Sequence, residues 1–593
     1  MRQLYTKWGK ELDINNVLPA YPRPSMVRNS YLNLNGYWDY AITKSAAWPM
    51  EYDGKILVPF SPEAVLSGVS EVLQPDEYLY YAKEIQLPVG FNQGRVLLHF
   101  GAVDQMTEVY VNKQLQGSHV GGYLPFFFDV TKVLTDGINV ISLRVKDVTG
   151  ASYHSRGKQK LDRGGMFYTP QSGIWQTVWL ESVPEEYIGS LKFTPDFDDG
   201  SIGIKVNVVG AASAVQVIIS IDNETYQTSL EANKKRYIKL PVVYPWTPET
   251  PYLYDVKICY GADCVTSYFA MRKNSVAYDN KGILRFKLNN KFYFHNGLLD
   301  QGYWPDGLLT APSDEALIFD IMEAKRLGFN TLRKHIKIEP ERWYYHCDRL
   351  GMLVWQDMVN GGGPIRAWFT TYMPHIFLWA GRSIKDNKYK LFSRDDAAGR
   401  KQFYQELKQT IETLYHHPSI VLWSPFNEGW GQFDAQKATA LIKKLDTSRL
   451  IDEVSGWFDQ GGGNVYSIHN YFLEKRVKPK KERVVAITEY GGYVHRYEKH
   501  SYHNNVYGYG TYKSKETLTA GYAKLFKRDV LKNIKRGLSG AIYTQLSDVE
   551  EEVNGIFTYD RKILKMYAEA VIELNEELRR KAHEIINGNS SML

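Results

Sequence analysis

Ile420 to Asp434 reads IVLWSPFNEGWGQFD, a short apolar run that closes abruptly on Asn427-Glu428. A run of that length has the character of a buried strand. An amide and a carboxylate at its end call for a fold whose strand ends converge. Helical patterns flank it, AGRKQFYQELKQTIETLYHH before and FDAQKATALIKKLD after. The same rhythm fills the C-terminal half. DEALIFDIMEAKRLG is amphipathic and helical, FNTLRKHI strand-like, EPERWYYHCDRLG a helix with Pro near its first turn, and MLVWQDM a strand again. RLIDEVSG, VYSIHNY, RVVAITEYGG and GAIYTQLSDV supply further strands. Counting FYFHNGLL as the first gives about eight, the pattern of a (β/α)8 TIM barrel over residues 277–593. The stretch YAEAVIELNEELRRKAHEIIN reads as a helix closing the barrel before a frayed tail.

Upstream the pattern is different. From about Leu32 to Ser182, short β-type segments such as GRVLLHFGAV, INVISLRVKD and GIWQTVWLESV alternate apolar with polar residues. They predict a jelly-roll β-sandwich over residues 1–185. A second β block, from LKFTPDF to YLYDVKICY, has the spacing of an immunoglobulin-like sandwich over residues 186–276. The Pro-rich YPWTPETPYLY reads as a connection, because Pro cannot donate to a sheet ladder. The fold class is thus multidomain β plus α/β, as a chain of 593 residues, too long for one core, requires.

Composition excludes several functions. The apolar fraction is 44% with charged residues at 23%, and no apolar run is long enough for a bilayer, so no membrane role is expected. The first residues, MRQLYTKWGKELDINN, lack the apolar segment of a secretory signal, which predicts a cytoplasmic protein. The net charge of +6 is small and interleaved, against nucleic-acid binding. Cys259, Cys264 and Cys347 are too few for a disulfide framework or zinc cage, so reduced thiols are expected. Aromatic residues at 14%, with 43 Tyr and 14 Trp, suit recognition of amphipathic ligands such as sugars. A homo-oligomer is compatible with all of this.

In a TIM barrel the catalytic groups stand at the C-terminal ends of strands. Glu428 then closes the fourth strand and Glu489, in VVAITEYGG, the seventh. Two carboxylates facing each other over one pocket are what a retaining glycosidase requires, at about 5 to 5.5 Å. Glu428 is assigned as acid/base and Glu489 as nucleophile. A non-catalytic carbohydrate-binding protein has no need of that pair. A single strand-end carboxylate more often begins a loop or pairs with a cation.

SPFNEGWG followed by ITEYGG, downstream of GGYLPFFFDVT and SGIWQTVWLE, resembles family 2 of the glycoside hydrolases, the β-galactosidase and β-glucuronidase family. The likeness runs over nearly the whole chain. It implies the three domains above, retention of configuration and the same roles for Glu428 and Glu489. It further implies that Asn427 binds the hydroxyl next to the anomeric carbon and that Arg333, in NTLRKHI, orients the nucleophile. His335, and His469 and Tyr471 in SIHNYF, stand where relatives contact sugar or nucleophile, and Asp300 and Gln301 end the first strand. Trp430 and Trp457 are candidates to stack on a sugar face.

The choice of sugar rests on departures from the family. Glucuronidases carry an Asn-x-Lys element near the eighth strand, whereas Asn554 here is followed by Gly555-Ile556. The large β-galactosidases bind magnesium beside the acid/base, but WQDMVNGGG offers Asp357 without an adjacent His, so no metal and no cofactor is expected. RKHIKIEP concentrates positive charge, with Lys334 and Lys337, beside the expected sugar site. That favours a β-galacturonide over a β-galactoside. The long segment from Asn360 to Lys390 is expected to shape the leaving-group side.

Overall fold

The computed structural model describes residues 3–211, 213–366, 368–373 and 383–587. Two β-sandwiches precede a barrel. In the first, a six-stranded sheet, including Tyr78–Gln86, Ile138–Lys146 and Met106–Val111, faces a four-stranded sheet that includes Arg95–Phe100 and Val178–Val183. Along Ile138–Lys146 buried and more exposed residues alternate strictly, as a half-buried strand demands. The buried set meets Trp38, Leu98 and Leu180 in one core.

In the second sandwich, three strands, Tyr187–Asp196, Ser201–Val209 and Arg236–Lys239, face a four-stranded sheet ending in the hairpin Tyr254–Tyr260 and Asp263–Phe269. One expectation fails here. Cys259 and Cys264 are joined by a disulfide. The hairpin turns through Gly261-Ala262, with Gly261 at φ +56°, so the two cysteines fall directly opposite each other with 4.1 Å between Cα atoms. Only strand register brings them together; five residues of spacing do not reveal it. Cys347 is free and buried.

The segment at the expected boundary near residue 276 belongs below the barrel. Asn274–Tyr278 pairs with Leu284–Leu288 in a small sheet whose Phe286 and Leu288 plug the barrel floor.

The barrel strands are β1 (His295–Asp300), β2 (Thr331–Lys334), β3 (Leu353–Asp357), β4 (Ile420–Ser424), β5 (Leu450–Ile451), β6 (Val465–Asn470), β7 (Val484–Gly491) and β8 (Leu538–Thr544). They form one parallel sheet in the order 5-4-3-2-1-8-7-6. Asn464 spans the seam between β5 and β6: its N–H donates to the Ile451 carbonyl at 2.7 Å and its side-chain oxygen accepts from Ile451 N–H at 2.9 Å. Leu299, Trp355, Leu422 and Ile542 fill the lower barrel. Leu298, Leu332, Ile468 and Ile487 face the surrounding helices instead. This alternation decides which strand-end side chains reach the mouth.

The helices begin and end where their capping residues stand. Asp314–Arg326 is capped by Ser313, whose hydroxyl accepts from Ala316 N–H. Glu341–Leu350 starts after Pro340 and ends at Gly351, left-handed at φ +76°. Ala568–Asn587 is the last helix, and the tail beyond it lies outside the described residues. No helix among the described residues is long and apolar enough to cross a membrane.

Candidate active site at the barrel mouth

Arg333 follows Leu332 on β2 and therefore points inward, fully buried. Its guanidinium donates to Asp357 through Nε at 3.1 Å and Nη2 at 2.8 Å, and to Glu489 Oε1 through Nη1 at 2.9 Å. Nη2 also donates to Asn427 Oδ1 at 2.7 Å. One side chain thus ties β2, β3, β7 and the turn after β4 into a single cluster.

Glu489 reaches the same place through an irregularity. The ladder between β6 and β7 runs Ile468 to Ile487, then His469 to Glu489, leaving Thr488 as an extra residue. The slip turns Glu489 inward to stand beside His469. Tyr471 donates its hydroxyl to Glu489 Oε2. Burial by itself would raise the Glu489 carboxyl, but the neighbouring His469, the Arg333 guanidinium and the Tyr471 hydrogen bond outweigh it and hold the group down at about 2. Tyr471 is driven well above its usual value by burial and by the neighbouring carboxylates, so it remains a donor.

Glu428 sits on the turn just past β4. Its φ of +49° is a left-handed conformation that a non-glycine residue rarely adopts. The turn is held by Glu428 N–H donating to Ser455 O at 2.9 Å and Trp430 N–H to Asn427 O at 2.9 Å. His469 bridges the carboxylates: Nδ1 is 2.7 Å from Glu428 Oε1, and Nε2 is 3.5 Å from Glu489 Oε1 and 3.0 Å from Ser455 Oγ. A carboxylate oxygen of Glu428, one of Glu489 and a ring nitrogen of His469 all lie within 4.8 Å of one another. Burial, with Lys158 and Arg333 nearby, pushes His335 well below its usual range, so it is neutral and donates Nδ1–H to Asp357 at 3.0 Å.

Most of the expected site residues therefore converge: Asn427, Glu428, Glu489, Arg333, His335, His469 and Tyr471. Trp430 stacks on Phe167 of the first sandwich at 5.6 Å, and Trp457 lies edge-on to His469 at 5.4 Å. Gln301 is buried with its side-chain nitrogen unpartnered among the described residues. Asp300 and Lys334 do not join the cluster. They follow the outward-facing Leu298 and Leu332, and they pair with each other at 2.7 Å, Lys334 also meeting Glu339 at 2.7 Å and lying over the Trp343 ring. Lys337 is spent on the carbonyls of Gly302 and Leu309. The charge of RKHIKIEP is consumed internally.

Tyr509, Ser455, Thr488, Phe167, Tyr168, Lys158 and Glu552 were missed. Tyr509 stacks on Tyr471 at 4.3 Å, and its only signal in the sequence is the aromatic loop VYGYGTY. Of segment 360–390, residues 367 and 374–382 lie outside the described residues, and with them part of the expected leaving-group wall.

The groups that a magnesium ion would meet here are a carboxylate oxygen each of Glu428 and Glu489 and a ring nitrogen of His469. Asp357 is occupied by Arg333 and His335, and both oxygens of Glu489 already accept from protein donors. The oxygen-rich shell that magnesium demands is not formed by these residues.

The chain belongs to glycoside hydrolase family 2. It matches the family's sugar-binding domain over residues 21–184, its central domain over 186–272 and its TIM-barrel domain over 310–568. A β-galactosidase of Thermoanaerobacter pseudethanolicus is 24% identical over 80% of this chain and 62% of its own. Human β-glucuronidase is 22% identical over 76% of this chain and 72% of its own. The chain spans 62% of the length of the first of these and 47% of a longer relative from Formosa agariphila. A β-galacturonidase of Eisenbergiella tayi, solved with galacturonate, shares the fold with a TM-score of 0.69 at 18% identity, over 95% of this chain and 99% of that one. A β-D-glucuronidase of Dictyoglomus thermophilum does so at 0.72 and 17%, over 94% and 98%.

Proposed function

We propose that this chain is a retaining exo-β-glycosidase acting on a terminal galacto-configured sugar, a β-galacturonide or β-galactoside. The observation that carries the proposal is the pair Glu428 and Glu489, with carboxylate oxygens within 4.8 Å on one rim. Oxygens that near each other favour the close spacing of a covalent double displacement over the wider gap that admits a water between the carboxylates. Glu489, held ionised, attacks the anomeric carbon while Glu428 gives its proton to the departing oxygen. Glu428 then takes a proton from water, which attacks the glycosyl ester and frees Glu489. Asn427, whose side-chain oxygen accepts from Arg333, holds the adjacent sugar hydroxyl in this reading. Relatives named β-galactosidase, β-galacturonidase and β-glucuronidase support the class. For a glucuronide, Asn554 is poorly placed, being fully buried and engaged with Gln545 and Glu552.

Nitrophenyl β-galactoside, β-galacturonide, β-glucuronide and β-glucoside assayed side by side test the reading, with proton NMR of the first-formed anomer. Retention with a galacto-configured preference is expected. Glu489→Gln should lower kcat by at least ~10³-fold while sugar still binds. Undiminished turnover in that variant would overturn the assignment.

A further inference from the structure

The cations read from the sequence are committed to protein partners: Arg333 to Asp357 and Glu489, Lys334 to Asp300 and Glu339, and Lys337 to two carbonyls. Another arrives from the first domain. The N–H groups of Arg156 and Gly157 both donate to Asn360 O, at 2.9 and 3.1 Å, just beyond the end of β3, and Ser155 bridges to Gly361. This docking carries Lys158 over the barrel mouth. Its ammonium lies 5.8 Å from the centre of the Trp430 ring and 5.5 Å from that of Tyr168, and its side chain is 7% exposed. After burial, the charge of Lys158 is the largest influence on His335 beside the nucleophile.

That ammonium makes no hydrogen bond among the described residues. Its nearest carboxylate oxygen, Glu552 Oε2, stands 3.6 Å away and already accepts from Tyr168, while Glu552 Oε1 accepts from Asn554 at 3.1 Å. A nearly buried ammonium with unused donors loses hydration without full return, a cost that an incoming anion offsets. The sugar ring itself is neutral, and a carboxylate at its C6 is an anionic group that a terminal sugar can bring to this wall.

We infer that Lys158 binds the carboxylate of a uronic acid and so sets the substrate as a β-galacturonide; this rests on the glycosidase reading above. The residue determines specificity and takes no part in bond breaking. Glu552 opposes it, since its negative charge repels the same carboxylate.

Steady-state kinetics on nitrophenyl β-galacturonide and β-galactoside test this with Lys158→Gln and Glu552→Gln, each checked for unchanged melting. Lys158→Gln should lower the ratio of kcat/KM for galacturonide over galactoside about 50-fold, mainly through KM. Glu552→Gln should lower KM for the galacturonide. An unchanged ratio in Lys158→Gln, or a wild-type preference for the neutral galactoside, would overturn the inference. If no glycoside is turned over at all, the glycosidase reading fails. Lys158 is then judged by equilibrium titration with free galacturonate and galactose, where equal loss of both, or of neither, rejects it.

Discussion

At the residue scale, the strongest constraint is that one buried arginine serves three acidic or amide partners at once. Removing its charge leaves Glu489 buried with less to oppose burial. Arg333→Gln should therefore move the acidic limb of the kcat/KM profile upward, whereas wild type keeps Glu489 ionised down to about 2. The same depression links to stability. A carboxyl that titrates below its usual value contributes fully above about pH 4.5, and that contribution is lost as pH falls towards 2. Tyr471→Phe removes one charge-assisted hydrogen bond to Glu489, and kcat should fall about 10- to 100-fold, with melting little changed. Glu428, Glu489, Arg333, His335, His469 and Tyr471 were legible because each sits beside a strand-end motif. Asp300 and Lys334 sit at strand ends too, but on the other parity of the pleat.

At the element scale, two short features carry much of the geometry. The extra residue Thr488 in β7 rotates Glu489 inward. Gly351 ends the helix Glu341–Leu350 in a left-handed conformation, and a Cβ there would meet the Pro248 carbonyl at 2.4 Å. Gly351→Ala should destabilise the protein by about 1–3 kcal/mol in urea unfolding, because strain and collision fall on backbone that cannot yield. The hairpin disulfide makes a chemical prediction. Alkylation of the denatured, unreduced protein should modify Cys347 alone, and reduction should expose Cys259 and Cys264 as well. Strands and helices were readable from periodicity and caps. The bulge and the disulfide were not, because both depend on the partner strand.

At the scale of the whole molecule, the first sandwich joins the site from above and is braced from behind. Arg28 grips Asp263 of the second sandwich through two bonds, at 2.9 and 2.8 Å, and Glu181 of the first at 3.0 Å. Asp348 of the barrel accepts from Tyr268 of the second sandwich at 2.7 Å. Arg28→Met leaves the buried Asp263 carboxylate without its cation while Glu181 keeps Arg23, and a loss of about 3–5 kcal/mol is expected by chemical denaturation. Activity should fall with it to the degree that the loop around Lys158 comes away from Asn360.

The order of two sandwiches and a barrel, and the two carboxylates at strand ends, were determined by the sequence alone. Hydrophobic period and strand-end position are local properties of a chain. Which face each strand presents, which cations are spent on protein hydrogen bonds, and that a lysine 270 positions before Glu428 lies beside Trp430 at the same barrel mouth were decided only by tertiary structure. Register, bulges and domain docking depend on partners distant in sequence, and no local pattern encodes a distance between residues that meet only after folding.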